Sequence, residues 1–232
     1  MIYLKDLTEF LDQFFLKHQY EHDPGGIYRD SDRSIHRLGL LLEPFPEIDA
    51  WIHRHDVDAL FLHRPWKLEN GWMTANLGVI FYHLAFDERL TLGFNLRLAD
   101  ALNLINVQPF GKKENRAIGM IGEILPQSFD RYANHVHQVF NGYASITGTQ
   151  DTLAKVAVVG AMTDELIREA AQQNVTVYIT GQLREAAAQA VLETGINVIE
   201  IGHRRCEEWG LRSLSNVLQE RWATLEVIVA SK

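Results

Sequence analysis

Apolar and polar positions along this chain repeat with two different periods. From Lys5 to Lys17, Leu7, Phe10, Leu11, Phe14 and Phe15 recur at spacings of three and four, which predicts an amphipathic helix that stops near the turn Asp23–Gly26. Leu38–Leu42 is a leucine run closed by Glu43-Pro44 and reads as a buried strand. Glu47–His55 reads as a helix and Ala59–His63 as a strand stopped by Pro65, so that the three form a β–α–β unit. Leu77–Leu84 is again strand-like, and Leu90–Leu104 places Leu92, Leu96, Ala99 and Leu102 at helical spacing. Between Gly111 and Thr147, AIGMIGEIL predicts a strand with glycine interruptions, while HVHQVFN fits a strand or a short helix.

A turn cluster at Gly148–Thr152 precedes a clearer pattern. Strands at Lys155–Gly160, Val175–Thr180, Asn197–Ile201 and Leu225–Ala230 alternate with helices at Thr163–Gln173, Arg184–Thr194 and Glu207–Gln219. Valine- and isoleucine-rich strands alternating with helices predict an α/β fold with a largely parallel sheet. The turn cluster gives a soft division into lobes 1–150 and 151–232 within one domain spanning 1–232.

Composition narrows the function classes. The 232 residues carry 22 Lys+Arg and 30 Asp+Glu, a net charge of −8, which argues against general nucleic-acid binding through a basic face. The single cysteine, Cys206, excludes an internal disulfide framework. Apolar runs are strand-sized and the N-terminal pattern contains acids, so neither a membrane span nor a signal peptide is indicated and a cytoplasmic protein is expected. The ten histidines are the feature left open, since histidine is the commonest metal ligand.

In parallel sheets, ligand chemistry gathers at the carboxyl ends of strands. Four groups stand there. His63 ends the run Leu60-Phe61-Leu62, and His203 follows Val198–Gly202 with Glu207 four residues on, a spacing that suits either a metal-binding pair or a capping or ionic pair. Asp87 follows Tyr82–Phe86 and fits an N-cap or a ligand equally well. Gly160-Ala161-Met162 reads as a tight turn between a strand and a helix, without the glycine pattern of a phosphate loop.

Taken in order, LHRPW (Leu62–Trp66), HLAFD (His83–Asp87) with Gly93-Phe94-Asn95, YITGQ (Tyr178–Gln182) and GHRRCEEWG (Gly202–Gly210) resemble the motifs of the Nif-three-like family. Its bacterial members are known as type 2 homologues of GTP cyclohydrolase I. The resemblance covers Leu38 to Leu218 and implies two α/β lobes with largely parallel sheets and a metal-site cleft between them. It also implies a dinuclear metal site, toroidal hexamers and a small-molecule ligand. Carried over, the metal positions are His63, Arg64, Asp87, His203 and Glu207, with His83 lining or supporting the site.

Arg64 stands where the family has a second histidine, and a protonated guanidinium cannot ligate. Gln182 likewise replaces the family's glutamate. Two outcomes follow. In one, His63, Asp87, His203 and Glu207 hold one divalent ion per chain, zinc, manganese or iron, for hydrolysis of a small, nucleotide-related substrate, with Arg64 and His83 as catalytic groups. In the other, Arg64 replaces the lost cation by pairing with Asp87 or Glu207, leaving an oligomeric binding or regulatory protein. The five tryptophans, Trp51, Trp66, Trp72, Trp209 and Trp222, suit either subunit contacts or the core.

Overall fold

The computed structural model describes residues 1–68, 76–148 and 151–230. In chain order the elements are α1 (Leu4–Phe14), β1 (Gly26–Arg29), β2 (Arg37–Leu41), α2 (Ile48–His55), β3 (Ala59–Leu62), β4 (Gly78–Phe81), α3 (Leu84–Leu90), α4 (Leu96–Ala101), β5 (Ile105–Lys113) and β6 (Arg116–Ser128). There follow α5 (Phe129–Phe140), β7 (Ser145–Thr147), β8 (Thr152–Val159), α6 (Asp164–Gln172), β9 (Val177–Thr180), α7 (Ala188–Thr194), β10 (Asn197–Glu200), α8 (His203–Arg221) and β11 (Glu226–Val229). Among the described residues, no helix is long and apolar enough to cross a membrane.

The chain forms two compact units, residues 1–86 with 210–232, and residues 87–209. The first is built on a sheet of order β1-β4-β3-β2-β11, parallel throughout except for β1. Its central strands are nearly uniformly apolar because both faces are covered. One face packs under α2 through Leu41, Ile48, Ile52, Leu60, Leu62 and Val79. Aromatic rings fill another part of this unit's interior, with Phe15 and Tyr82 centred 4.8 Å apart and Phe61 and Phe86 5.8 Å apart. The last strand of the expected Lys155–Ala230 series belongs here: β11 pairs in parallel with β2, Val227 opposite Leu38.

The second unit holds a mixed sheet of order β5-β6-β8-β9-β10-β7. β8, β9 and β10 pair in parallel, whereas β5–β6, β6–β8 and β7–β10 pair antiparallel, the first of these across the short Glu114-Asn115 turn of a hairpin. Both turn residues take positive φ, as a tight hairpin requires. Side chains alternate across the sheet: Val156, Val158, Ile179 and Ile199 face one core with Tyr132, Val136 and Phe140, while Ala157, Val159, Tyr178 and Val198 face another with Ile167 and Ala190.

Several expectations are revised. HVHQVFN lies in α5, whose buried Tyr132, Ala133, Val136 and Phe140 repeat at helical spacing and whose start is capped by the Ser128 hydroxyl. Leu90–Leu104 is not one helix but the end of α3, a turn and then α4. The lobe division expected at 148–152 falls inside one sheet, since β6 pairs with β8 and β7 with β10; Thr149 and Gln150 lie outside the described residues. Of the tryptophans, Trp209 is buried in the second unit's core, Trp51 packs against its own unit's core, and Trp222 meets Phe10 edge-on. Trp72 lies outside the described residues.

Candidate metal centre

Parallel pairing delivers the first two histidines. β3 and β4 are neighbours in register, Leu62 opposite Phe81, so their carboxyl ends are level and the chain exits with His63 from one strand and Tyr82-His83 from the other. The imidazole centres lie 4.9 Å apart. His63 is fully buried and its Nδ1 lies 3.1 Å from the carbonyl oxygen of Tyr82. A carbonyl only accepts, so Nδ1 carries the proton and Nε2 keeps its lone pair, the form a metal takes.

His83 is four residues before Asp87, and helix α3 begins between them. Asp87 is therefore inside the first turn rather than at the N-cap. Candidate ligand atoms of His63, His83 and Asp87 all lie within 4.8 Å of one another. The expected set had His83 beside the metal rather than on it, whereas the structure brings it into the cluster. His83 is also bordered by Trp66, edge-on at 5.1 Å and 52% exposed.

The N-terminus of α3 is capped instead by Asp23, a residue the sequence analysis read only as part of a turn. Its Oδ2 accepts from the Leu84 amide at 2.9 Å and from His83 Nδ1 at 2.8 Å. The hydrogen bond from His83 holds the Asp23 carboxyl below its usual range; burial opposes this, and the Leu84 amide adds to it. The turn reaches this position because Gly25, at φ +59°, lies where a Cβ would be 2.5 Å from the Tyr82 ring and 2.9 Å from the Phe81 carbonyl oxygen. A Gly-Gly turn ahead of a strand was the available signal, but its partner lies 60 residues away in sequence.

Arg64 follows the same strand end. Its amide donates to the Leu42 carbonyl, which sets it beside the next residue, Glu43, and its guanidinium ion-pairs with Glu43 at 3.7 Å. Lys67 also pairs with Glu43. Within the first unit, Glu43 is thus an acid partner of Arg64.

In the second unit, β10 ends at Glu200, Gly202 turns at φ +93°, and His203 opens α8. His203 Nε2 lies 2.9 Å from Glu207 Oε1, one helical turn on, with His203 largely exposed and Glu207 only 1% exposed. The Cys206 thiol is pushed up by burial first, then by the charges of Glu207 and Asp87.

Asn95, Gly93 and Gly160–Met162 shape the backbone. Asn95 caps α4, its Oδ1 accepting from the Arg97 and Leu98 amides at 3.1 and 3.2 Å. A Cβ on Gly93 would sit 1.7 Å from the Glu88 carbonyl oxygen, so only glycine lets the chain double back on α3. Gly160–Met162 is a turn: Thr163 caps α6, and Asp164 and Glu165 in its first turn disfavour an anion there.

A sequence model of the family described as DUF34/NIF3 (NGG1p interacting factor 3) matches residues 2–232. Among curated proteins named GTP cyclohydrolase 1 type 2 homolog, the chain is 25% identical to that of Allochromatium vinosum, covering 94% of this chain and 92% of the other. It is 30% identical to that of Chlamydia pneumoniae over 63% of this chain and 59% of that protein. Among solved structures, the fold is similar to the protein ybgI of unknown function, with TM-score 0.77, 19% identity and coverage of 99% and 98%. It is similar also to reduced HcgD from Methanocaldococcus jannaschii, with TM-score 0.75, 22% identity and coverage of 100% and 98%.

Proposed function

The chain belongs to the DUF34/NIF3 family, and from that premise we propose that it is a metal-dependent hydrolase acting on a small, nucleotide-related molecule through an altered, mononuclear centre. The observation that supports this reading is the convergence of His63, His83 and Asp87. Two imidazoles and a carboxylate are a donor set suited to zinc, manganese or iron, and three protein ligands leave a position open for water. Such an ion supplies Lewis-acid polarisation and a water acidified toward neutral pH.

The chain's own residues do the rest. His63 and His83 present their Nε2 atoms because Tyr82 and Asp23 hold the Nδ1 protons. Asp87 contributes charge from the first turn of α3, and the exposed indole of Trp66 offers an aromatic wall to a planar substrate. His203 and Glu207 are proposed as a further donor pair, on their i, i+4 geometry. Arg64, anchored on Glu43, is proposed to bind the anionic part of the substrate. Assembly into a homo-oligomer, a hexamer by family likeness, belongs to the same proposal and is read by light scattering.

Elemental analysis of protein purified without chelator tests the centre. About one equivalent of metal per chain is expected, falling toward zero in His63→Ala and Asp87→Ala. Two equivalents, or none after metal addition, overturns a mononuclear centre. Arg64→His should raise the stoichiometry if that arginine is what removed the second ion.

The Arg64–Glu43 ion pair favours a second reading, a non-catalytic binding or regulatory protein whose site has lost a ligand. Hydrolase screening with Mn²⁺ and Zn²⁺, compared with His203→Ala, separates the two. Activity abolished by that change supports the enzyme, and inactivity on every substrate class supports the binding protein.

A further inference from the structure

We infer that Asp23 is a positioning residue of the metal centre: one carboxylate oxygen grips the Nδ1–H of His83 and the first amide of α3, fixing an imidazole and the helical turn that carries Asp87 with a single group. This deepens the metal-centre reading above and rests on it.

Helix α3 lacks a good capping side chain of its own. The residue before its first helical position is His83, and histidine is not among the side chains that cap a helix well. The cap is brought from 61 residues away, by a turn that has room only because Gly25 has no side chain against Tyr82. A cap alone would need only the Leu84 amide. Here the same Oδ2 also takes the Nδ1 proton of His83, and a carboxylate at that nitrogen directs the lone pair of Nε2 outward and makes it a stronger donor. His63, beside it, receives the equivalent service from a backbone carbonyl, which is neutral.

The two histidines are thus oriented by different kinds of acceptor, and only one of these can be removed by mutation. Asp23→Ala should release His83 while leaving His63 held. Asp23 also couples the two donors of this peptide segment, since the oxygen that orients His83 anchors the turn in which Asp87 lies. Loss of Asp23 therefore loosens an imidazole and a carboxylate together.

The test uses full-length, metal-free protein labelled with ¹⁵N, with imidazole tautomers read by long-range proton–nitrogen correlation above the histidine titration range. Wild type should show both His63 and His83 protonated at Nδ1. In Asp23→Ala, His83 should shift toward the Nε2–H form while His63 stays as it was, and Co²⁺ affinity should fall about 10- to 100-fold. Asp23→Asn, which keeps a carbonyl oxygen and the fold, should retain the tautomer and lose a smaller part of the affinity. A purely structural cap would lower thermal stability with the His83 tautomer unmoved.

The inference is overturned if His83 stays Nδ1–H in Asp23→Ala, or if both variants bind Co²⁺ within about twofold of wild type. Wild type that takes up no Co²⁺ would instead sink the metal reading of the site, and the tautomer result would decide the role of Asp23 by itself.

Discussion

Cys206 and Asn95 show how much a side chain's surroundings decide. The buried Cys206 thiol, raised above the ordinary value near 9 by burial and then by Glu207 and Asp87, is neutral in the folded protein. Because the folded pKa is raised, the folded state keeps a proton that the unfolded chain releases once pH passes the ordinary value, so this contribution to stability is complete below it and is lost as pH rises above it. Urea melts across the alkaline range should therefore show a steeper loss in wild type than in Cys206→Ala, and iodoacetamide should label the thiol only on unfolding. Asn95→Ala, which strips two amides of α4 of their acceptor, should cost about 1–2 kcal/mol by the same melts. At this scale the sequence showed where candidate groups stand along the chain but not what each touches. His63, Asp87 and the i, i+4 pair of His203 and Glu207 were legible as strand-end groups. His83 was assigned a supporting role, and Asp23 was invisible, because its partners are fixed by strand register and not by local spacing.

Helix α3 illustrates how an element is held from both ends. Asp23 caps its start, and Glu88, next to Asp87, forms a two-pronged salt bridge with Arg116 on β6 at 2.8 and 3.3 Å. Both side chains of that ion pair are about nine-tenths buried. Removing one partner leaves a buried charge, so Arg116→Ala should cost about 3 kcal/mol or more in thermal or urea unfolding, with partial recovery in the double variant that adds Glu88→Gln. Equal losses in the single and double variants would show that the pair does not hold α3. Long apolar runs such as β2, β3 and β8 could be read directly because burial on both faces leaves an unbroken signature. The segment HVHQVFN could not, since seven residues sample too little of either period; the hydroxyl cap at Ser128 and the buried stripe through Phe140 decide for a helix. The break between α3 and α4 was hidden because leucines continue through it, while Gly93 makes the turn.

For the molecule as a whole, the alternation of strands and helices predicted the α/β class but not which strands share a sheet. Parallel pairing joins residues far apart in sequence, and β11 resembles the strands just before it while hydrogen-bonding to β2. The mixed character of the second sheet escaped for the same reason: antiparallel β6 and β7 carry no mark of direction. Motif order pointed to the family whose model matches residues 2–232, and the proposal of an altered centre rests on Arg64. Substituting Arg64→His is thus an experiment on the whole molecule's chemistry, expected to raise metal uptake without moving the melting temperature by more than a few degrees. A large fall in stability would mean that the Arg64–Glu43 ion pair is structural.

That β11 closes the edge of β2 bears on how the protein is made. Residues 87–209 are contiguous and can collapse as soon as they are synthesised, but the unit holding His63 and His83 waits for the segment from Gly210 onward. At roughly 5–20 residues per second, on the order of ten seconds separate the emergence of β4 from that of β11. Through that interval β2 presents an unpaired apolar edge of the kind that seeds aggregation. A chain stopped before Gly210 should accordingly accumulate in the insoluble fraction and depend on chaperones, whereas the full chain should not. The half of the molecule that is translated first is the one completed last.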